Sequence, residues 1–316
     1  RSENEGAHTA RSSVRVPASA PVPAPASVPA PASVPVPTPA PGAEDIGVVI
    51  VTHNSARDLP RCLETLLDPA CGEADRPQGV VVADNASRDD TLRVADRPGV
   101  LLRPMGANLG YGRAANRALD DLATPYALLC NPDVWFPPGS LAAMRRFMRQ
   151  QPDCEVQGPR MENEAGQLLT SCRRFPTWRA VVGRRVGGFG REVDRHLMAD
   201  FDHASPRRVD WVSGACMLFP RHFRFDPRYH LYVEDVDFCY DKRVYYNPHA
   251  VVGHRVSRAS ARSLPMMGRH LRSMLQFAWK HRGNRAGRLR VGSSEGRGRV
   301  AGPEENACRD GCRDRT

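Results

Sequence analysis

Residues 79–103, GVVVADNASRDDTLRVADRPGVLLR, hold a strand, a helix and a second strand in direct succession. Gly79–Ala83 is apolar without polar alternation, as in a strand covered on both faces, and it stops on Asp84. Ser87 with Asp90 three positions later has the spacing of a capping box, which predicts a helix over RDDTLRVA, 88–95. VLLR (100–103) is apolar again. A strand, a helix and a strand in that order make a parallel pair joined by a right-handed crossover. The alternation continues outward. Upstream, IGVVIV (46–51) is an apolar run, and ARDLPRCLETLL (56–67) places Leu59, Cys62 or Leu63, and Leu66 at helical spacing. Downstream, GYGRAANRALDDL (110–122) is a helix opened by glycines, and YALLC (126–130) is a fourth strand. The expected fold class is α/β, with a mostly parallel central sheet flanked by helices.

Outside this region the composition changes. Residues 14–41 are an imperfect Pro-Ala-Ser-Val repeat, and proline at nearly alternate positions favours extended polyproline II. Residues 1–44 are therefore expected to be a disordered tether, and the Gly/Arg-rich residues 283–316 a disordered tail. The foldable part is 45–262, followed by an amphipathic helix over 263–282. No segment is apolar for long enough to span a bilayer. The net charge of +10 suits an anionic partner such as a phosphorylated substrate or a membrane face. Nucleic acid is not expected, since no basic helix with interleaved aromatics appears. The nine cysteines are scattered, with no paired CxxC, which argues against a zinc site and fits a reducing compartment.

In parallel sheets ligands bind beyond the carboxyl ends of the strands. Three polar clusters stand there: Thr52-His53-Asn54, Asp84-Asn85 and Asn131-Pro132-Asp133. A carboxylate at such an end can hold a hard cation bridging two phosphates, or accept a hydrogen bond from a base or a ribose. The plainer reading of Asn131–Asp133 is a turn capping a helix near Pro138, and Asp84 is equally at home in a loop. GANLGYGRAANRAL (106–119) places Arg113 on the first turn of a helix, where backbone N–H groups can meet an anion.

The second half is patterned differently. VDWVSGACMLF (209–219) is strand-like with a Ser-Gly interruption, and KRVYYNPHAVVGH (242–254) reads as two short strands around a turn, ending on His254. LYVEDVDFC (231–239) sets Glu234, Asp235 and Asp237 among apolar residues. Shielding raises a carboxyl pKa toward useful basicity, although acids also collect at the first turn of surface helices.

Taken in order, these stretches resemble the family 2 inverting glycosyltransferases of GT-A fold, especially their bacterial rhamnosyltransferase-like branch. The matching segments are VVIVTHNS (48–55), VVADNASRDDT (81–91), NLGYGRAANRAL (108–119), LLCNPDVWF (128–136), VDWVSGACMLF (209–219), FDPRYHLYVEDVDFC (225–239) and VYYNPHAVVGH (244–254). The resemblance implies that Thr52, Asn54 and Asp84 hold the base and ribose of a nucleotide-sugar donor, with Arg113 near the base or phosphates. It makes Asp133 the last acid of a DxD-type element binding Mg²⁺ or Mn²⁺ at the diphosphate, and Asn131 stands where many relatives carry the first acid. Asp235 matches the catalytic base, with Glu234 beside it, and His254 matches a residue near the diphosphate and the metal. The implied reaction transfers a sugar to a hydroxyl of a saccharide or lipid-linked saccharide in cell-wall or surface polysaccharide biosynthesis; the branch suggests dTDP-rhamnose as donor, with UDP- and GDP-linked sugars as alternatives.

Two departures accompany the match. Only PRHFR (220–224) separates GACMLF from FDPRYHLY, and the helix after EDVDFC is cut to YDKR (240–243), both shorter than in relatives. They leave open an impaired relative that binds nucleotide sugar without turnover. A nucleotidyltransferase would instead carry a Gly-rich basic loop after the first strand, where this chain has THNSARDLP. SLPMMGRHLRSMLQFAWKHRG (263–283) spaces Leu264, Met267, Leu271, Met274 or Leu275, and Ala278 along one face, with Arg269, Arg272, Lys280 and Arg282 mainly elsewhere. It either packs on the domain or lies in the headgroup layer of an anionic membrane. The expected location is the cytoplasm, peripheral to the inner face of the cell membrane.

Overall fold

The computed structural model describes residues 45–177, 189–255 and 264–282. The expected tether (1–44) and tail (283–316) lie outside the described residues. The four expected strands are present as β1 (Ile46–Thr52), β2 (Gly79–Asp84), β3 (Val100–Pro104) and β4 (Tyr126–Cys130), parallel in the order β3-β2-β1-β4. The helices α1 (Leu59–Leu66), α2 (Thr91–Ala95) and α3 (Tyr111–Leu119) alternate with them.

The two-residue period of β1 separates two cores. Val49 and Val51 pack with Ala114, Ala115, Ala118 and Leu119 of α3, whereas Val48 and Ile50 pack with Leu59, Cys62 and Leu63 of α1. Each leucine so buried stabilises the fold by about 1.5–3 kcal/mol. Small side chains let α3 approach closely: a Cβ on Gly112 would stand 2.9 Å from Phe225 Cβ.

One local expectation fails. The helix after β2 starts at Thr91, later than the Ser87 capping box predicts, and Asp90 makes no capping bond. Ser87 Oγ lies 2.5 Å from Asp84 Oδ1 and donates there instead, while Asp89 Oδ1 accepts from Thr91 N at 3.1 Å. The acceptor side of the Ser87 hydroxyl is taken by Asn54 N at 2.8 Å, which occupies the place a helix N–H would have.

Beyond β4 the chain adds β5 (Val134–Trp135), α4 (Ser140–Gln150), β6 (Val156–Glu162), β7 (Leu168–Leu169), β8 (Cys172–Arg173), α5 (Gly190–Leu197), β9 (Arg207–Val209), β10 (Trp211–Val212), β11 (Cys216–Pro220), α6 (Glu234–Cys239), β12 (Val244–His254) and α7 (Leu264–Lys280). The main sheet runs β3-β2-β1-β4-β11-β6-β12-β5. β11 lies antiparallel to β4 and β6, and β12 is parallel to β6 and antiparallel to β5. The sheet is thus parallel through its first half and mixed through its second.

Residues 244–254 form one strand where two around a turn were expected. Its register shifts between Asn247 and Val251, so Pro248 falls in a bulge and breaks no ladder bond. Buried Asn247 makes the bulge self-sufficient: Nδ2 donates to Gln157 Oε1 at 2.9 Å, and Oδ1 accepts from His249 N at 3.1 Å. The short connectors are closed as well. Arg221 donates from N to Pro125 O and from Nε to Thr124 O, both at 2.8 Å, and Arg243 O accepts from Glu155 N at 2.9 Å.

Helix α7 packs on the domain through Ser273 and Phe277, both buried. Of the expected face, Leu271 and Leu275 point outward with Trp279, while Met274 packs against the core. Lys280, expected on the polar side, turns inward to Asp237 Oδ2 (2.7 Å) and Asp226 Oδ2 (2.8 Å). Two acids that would otherwise repel one another decide its direction.

Candidate active site

The register of β1 and β2 sets Thr52 level with Asp84 at the carboxyl edge. Both are buried, and Thr52 Oγ1 donates to Asp84 Oδ1 at 3.1 Å. Ser87 N donates to Asp84 Oδ2 at 3.0 Å, so the carboxylate is held by three donors in one orientation. Asn54, exposed and left-handed at φ 53°, receives Arg88 N on Oδ1 at 2.8 Å and gives its own N–H to Ser87 Oγ at 2.8 Å. Thr52, Asn54 and Asp84 therefore form one constellation. Arg113 Nε donates to Pro227 O at 2.6 Å, which ties α3 to the segment before α6.

Two residues to which the sequence assigned no role, Asn85 and Asn108, complete this edge. Buried Asn85 gives Nδ2 to Asn108 Oδ1 (3.1 Å) and receives Leu109 N on Oδ1 (2.7 Å), latching β2 to the loop before α3. Asn85 was visible in the polar cluster after β2, but nothing local named Asn108 as its partner. Gly110 follows at φ 88°, and a Cβ there would stand 2.3 Å from His230 O. Only glycine permits both the dihedral and the approach.

The second group is Asp133 with His254. β5 pairs with the end of β12 so that His254 faces Val134 and Gly253 faces Trp135, while Arg255 N donates to Asp133 O at 3.0 Å. His254 Nε2 thereby stands 3.3 Å from Asp133 Oδ1. That oxygen is inaccessible to solvent and accepts no hydrogen bond. A solvent-shielded carboxylate oxygen beside an imidazole nitrogen suits Mg²⁺ or Mn²⁺, the nitrogen favouring manganese. Among the described residues no group of three or more His, Cys, Asp or Glu could hold a metal. A bound ion would thus draw its remaining ligands from phosphate oxygens and water. Asn131 N donates to Ala215 O at 2.9 Å, which anchors the turn ahead of Asp133.

Asp235 is on the first turn of α6. Its Oδ2 accepts from Gly214 N at 3.1 Å and its Oδ1 from Val236 N at 2.9 Å. Burial raises its pKa, opposed by these N–H groups and by the charge of Arg173. Glu234 is buried beside it with Oε2 unbonded, and burial, then the charge of Asp235, raise its pKa strongly. Asp235 has N–H donors on both oxygens, whereas Glu234 has only its own backbone N–H and one bare oxygen, so the last proton of the pair rests on Glu234 and leaves Asp235 as the anion. Tyr232 and Val233 enter the helix at φ 68° and 70°, a costly conformation for a β-branched residue. Ser213–Ala215 joins the two acidic groups, since Ala215 carries the Asn131 bond and Gly214 the Asp235 bond.

The sequence matches the glycosyl transferase family 2 profile over residues 47–212, more than half the chain. The chain belongs to glycosyl transferase family 2. This family 2 transferase is rhamnosyltransferase-like: it is 33% identical over 211 residues to the N-acetylglucosaminyl-diphospho-decaprenol L-rhamnosyltransferase of Mycobacterium tuberculosis, strains CDC 1551 / Oshkosh and ATCC 25618 / H37Rv. That match covers 60% of this chain and 67% of each relative. Its fold is similar to that of GalNAc-T7, solved with UDP, GalNAc and Mn2+, at TM-score 0.52 and 14% identity, over 72% of this chain and 47% of that one. The expected GT-A architecture is therefore present, and the enzyme is a glycosyltransferase.

Proposed function

We propose that this transferase moves a sugar, rhamnose first among the candidates, from a nucleotide-diphospho-sugar to a hydroxyl of a saccharide or lipid-linked saccharide, inverting the anomeric centre. The observation that carries this reading is that Asp235 and the Asn131–Asp133 turn are bonded to adjacent residues, Gly214 and Ala215. Base and diphosphate site thereby flank one short segment. The acceptor follows the name of the mycobacterial relative, an N-acetylglucosaminyl-diphospho-decaprenol L-rhamnosyltransferase. A role in cell-wall or surface polysaccharide assembly fits such an acceptor.

Thr52, Asn54 and Asp84 orient the nucleoside at the β1–β2 edge, and Arg113 lies on the helix after it. Asp133 and His254 would hold a divalent cation with the diphosphate, and Asn131 shapes the turn. An ion held by these residues would offset the charge that grows on the leaving phosphate. Asp235 accepts the acceptor hydroxyl proton as the new C1–O bond forms and the C1–O(phosphate) bond breaks. Nucleoside diphosphate leaves, and a single displacement inverts C1. Glu234, keeping its own proton, leaves Asp235 the stronger acceptor. The closed connectors at 220–224 and 240–243 support turnover over a binding-only role. Nucleotide sugars place the reaction on the cytoplasmic side, and no described helix is long and apolar enough to cross a membrane.

The test is a donor screen of dTDP-rhamnose with UDP- and GDP-sugars, on a polyprenyl-diphosphate-linked N-acetylglucosamine, with and without Mg²⁺ or Mn²⁺. Metal-dependent nucleoside diphosphate release and a product of inverted configuration are expected. No release from any donor, or a retained configuration, would overturn the proposal.

A further inference from the structure

We propose that the outward face of α7 docks the protein on an anionic lipid bilayer. Leu271, Leu275 and Trp279 are 58%, 64% and 61% exposed, and their spacing of four puts them on one stripe. They line a shallow groove with Gly268, Arg272 and Gln276. Exposed Arg269, Arg272 and Arg282 flank it, and the helix has no acidic residue. The Arg282 guanidinium lies 4.9 Å from the Trp279 ring, so the indole and a cation reach solvent together.

Charge decides the occupant. A second copy meeting this one through the same stripe across a twofold axis would bring arginine against arginine. An anionic headgroup layer accepts the apolar stripe and neutralises its basic rim. The chain's net charge of +10 acts in the same direction. The inner face of α7 braces the approach to the acid pair: Ser273 Oγ donates to Leu231 O at 3.1 Å, and the His270 and Tyr232 rings are 5.3 Å apart. A docked α7 would hold the segment leading to Asp235 next to the headgroups.

The inference stands on surface chemistry alone, and its test involves no sugar transfer, so either proposal can fail without the other. The full chain is co-sedimented with vesicles of mixed phosphatidylglycerol and phosphatidylcholine, or of phosphatidylcholine alone, at low and high salt. Binding to the anionic vesicles at low salt is expected, weakened about tenfold or more at high salt. The triple variant Leu271→Gln, Leu275→Gln, Trp279→Gln should lose it by at least about tenfold with its melting temperature unchanged, since all three side chains are outside the core. Should that variant fail to fold, Arg269→Glu with Arg272→Glu, which keeps the stripe, must lose binding equally. Unchanged sedimentation of a folded variant, or no wild-type binding, overturns the proposal. So does a wild-type dimer that the triple variant dissociates, which would assign the face to a second copy.

Discussion

At the scale of single residues, the roles proposed for Asp133 and Asp235 differ, and their separate surroundings make the division testable. Asp133→Ala removes a side chain that belongs to neither apolar core, so the fold should persist while metal-dependent donor binding disappears. Calorimetric titration of donor with and without Mn²⁺ checks this; wild-type affinity in the variant would remove Asp133 from the site. Asp235→Asn should keep donor affinity and lose transfer by roughly 10²–10⁴-fold, the usual contribution of a general base. If Glu234→Gln is the crippled variant instead, the proton goes elsewhere. Legibility at this scale followed strand ends. Thr52, Asp84 and Asp133 became candidates because ligands of such sheets bind beyond the strands' carboxyl ends, and His254 by resemblance. That His254 stands near Asp133 followed from the resemblance alone; no local pattern showed it, because the contact depends on β12 continuing through a bulge. Asn108 was hidden for the same reason: its partner Asn85 is supplied by the fold.

Elements place these residues, and β5 with β12 is the pair most exposed to perturbation. Gly253 is covered by the Trp135 ring, where a Cβ would stand 1.8 Å from Cε2 and 2.1 Å from Cζ2. Arg61 stacks on that ring, its Cζ 3.6 Å from the centroid, and restricts its escape. Gly253→Ala should therefore cost about 1–3 kcal/mol, the range for overpacking, and spread β5 from β12. Thermal melting and metal-dependent donor affinity should fall together; a fall in melting alone would show that the Asp133–His254 spacing is set by something other than this pair. The parallel half of the sheet was legible as elements because each strand is a short apolar run with an amphipathic helix behind it. The mixed half was not. β11 carries the strand-like pattern but no mark that it pairs antiparallel with β4, and Pro248 resembles a turn until Asn247 is seen to satisfy itself.

Across the whole molecule, the buried acid pair ties stability to pH. Glu234 has a pKa above the ordinary glutamate value, through burial and then the charge of Asp235, so the folded state holds its proton more tightly than the unfolded chain does. Its stabilisation is complete below the ordinary value and is lost as pH rises through the elevated one. Asp235, also raised, acts in the same sense. Urea unfolding of wild type and Glu234→Gln across mildly acidic to mildly alkaline pH should show the wild type losing ground to the variant as pH increases. Parallel curves would mean that Glu234 ionises in the fold as freely as in the unfolded chain.

The loops after β1 and β2 are stitched to one another. Asn54 N reaches Ser87 Oγ, Arg88 N reaches Asn54 Oδ1, Ala56 N reaches Asp89 Oδ2 and Ser55 N reaches Thr91 Oγ1, at 2.8, 2.8, 3.1 and 2.7 Å. Neither loop can be exchanged by itself without stranding donors and acceptors of the other. Given the nucleoside role proposed for this edge, a change of nucleotide preference is expected to need both loops transplanted as a single cassette, and natural divergence at these positions should proceed by paired replacement.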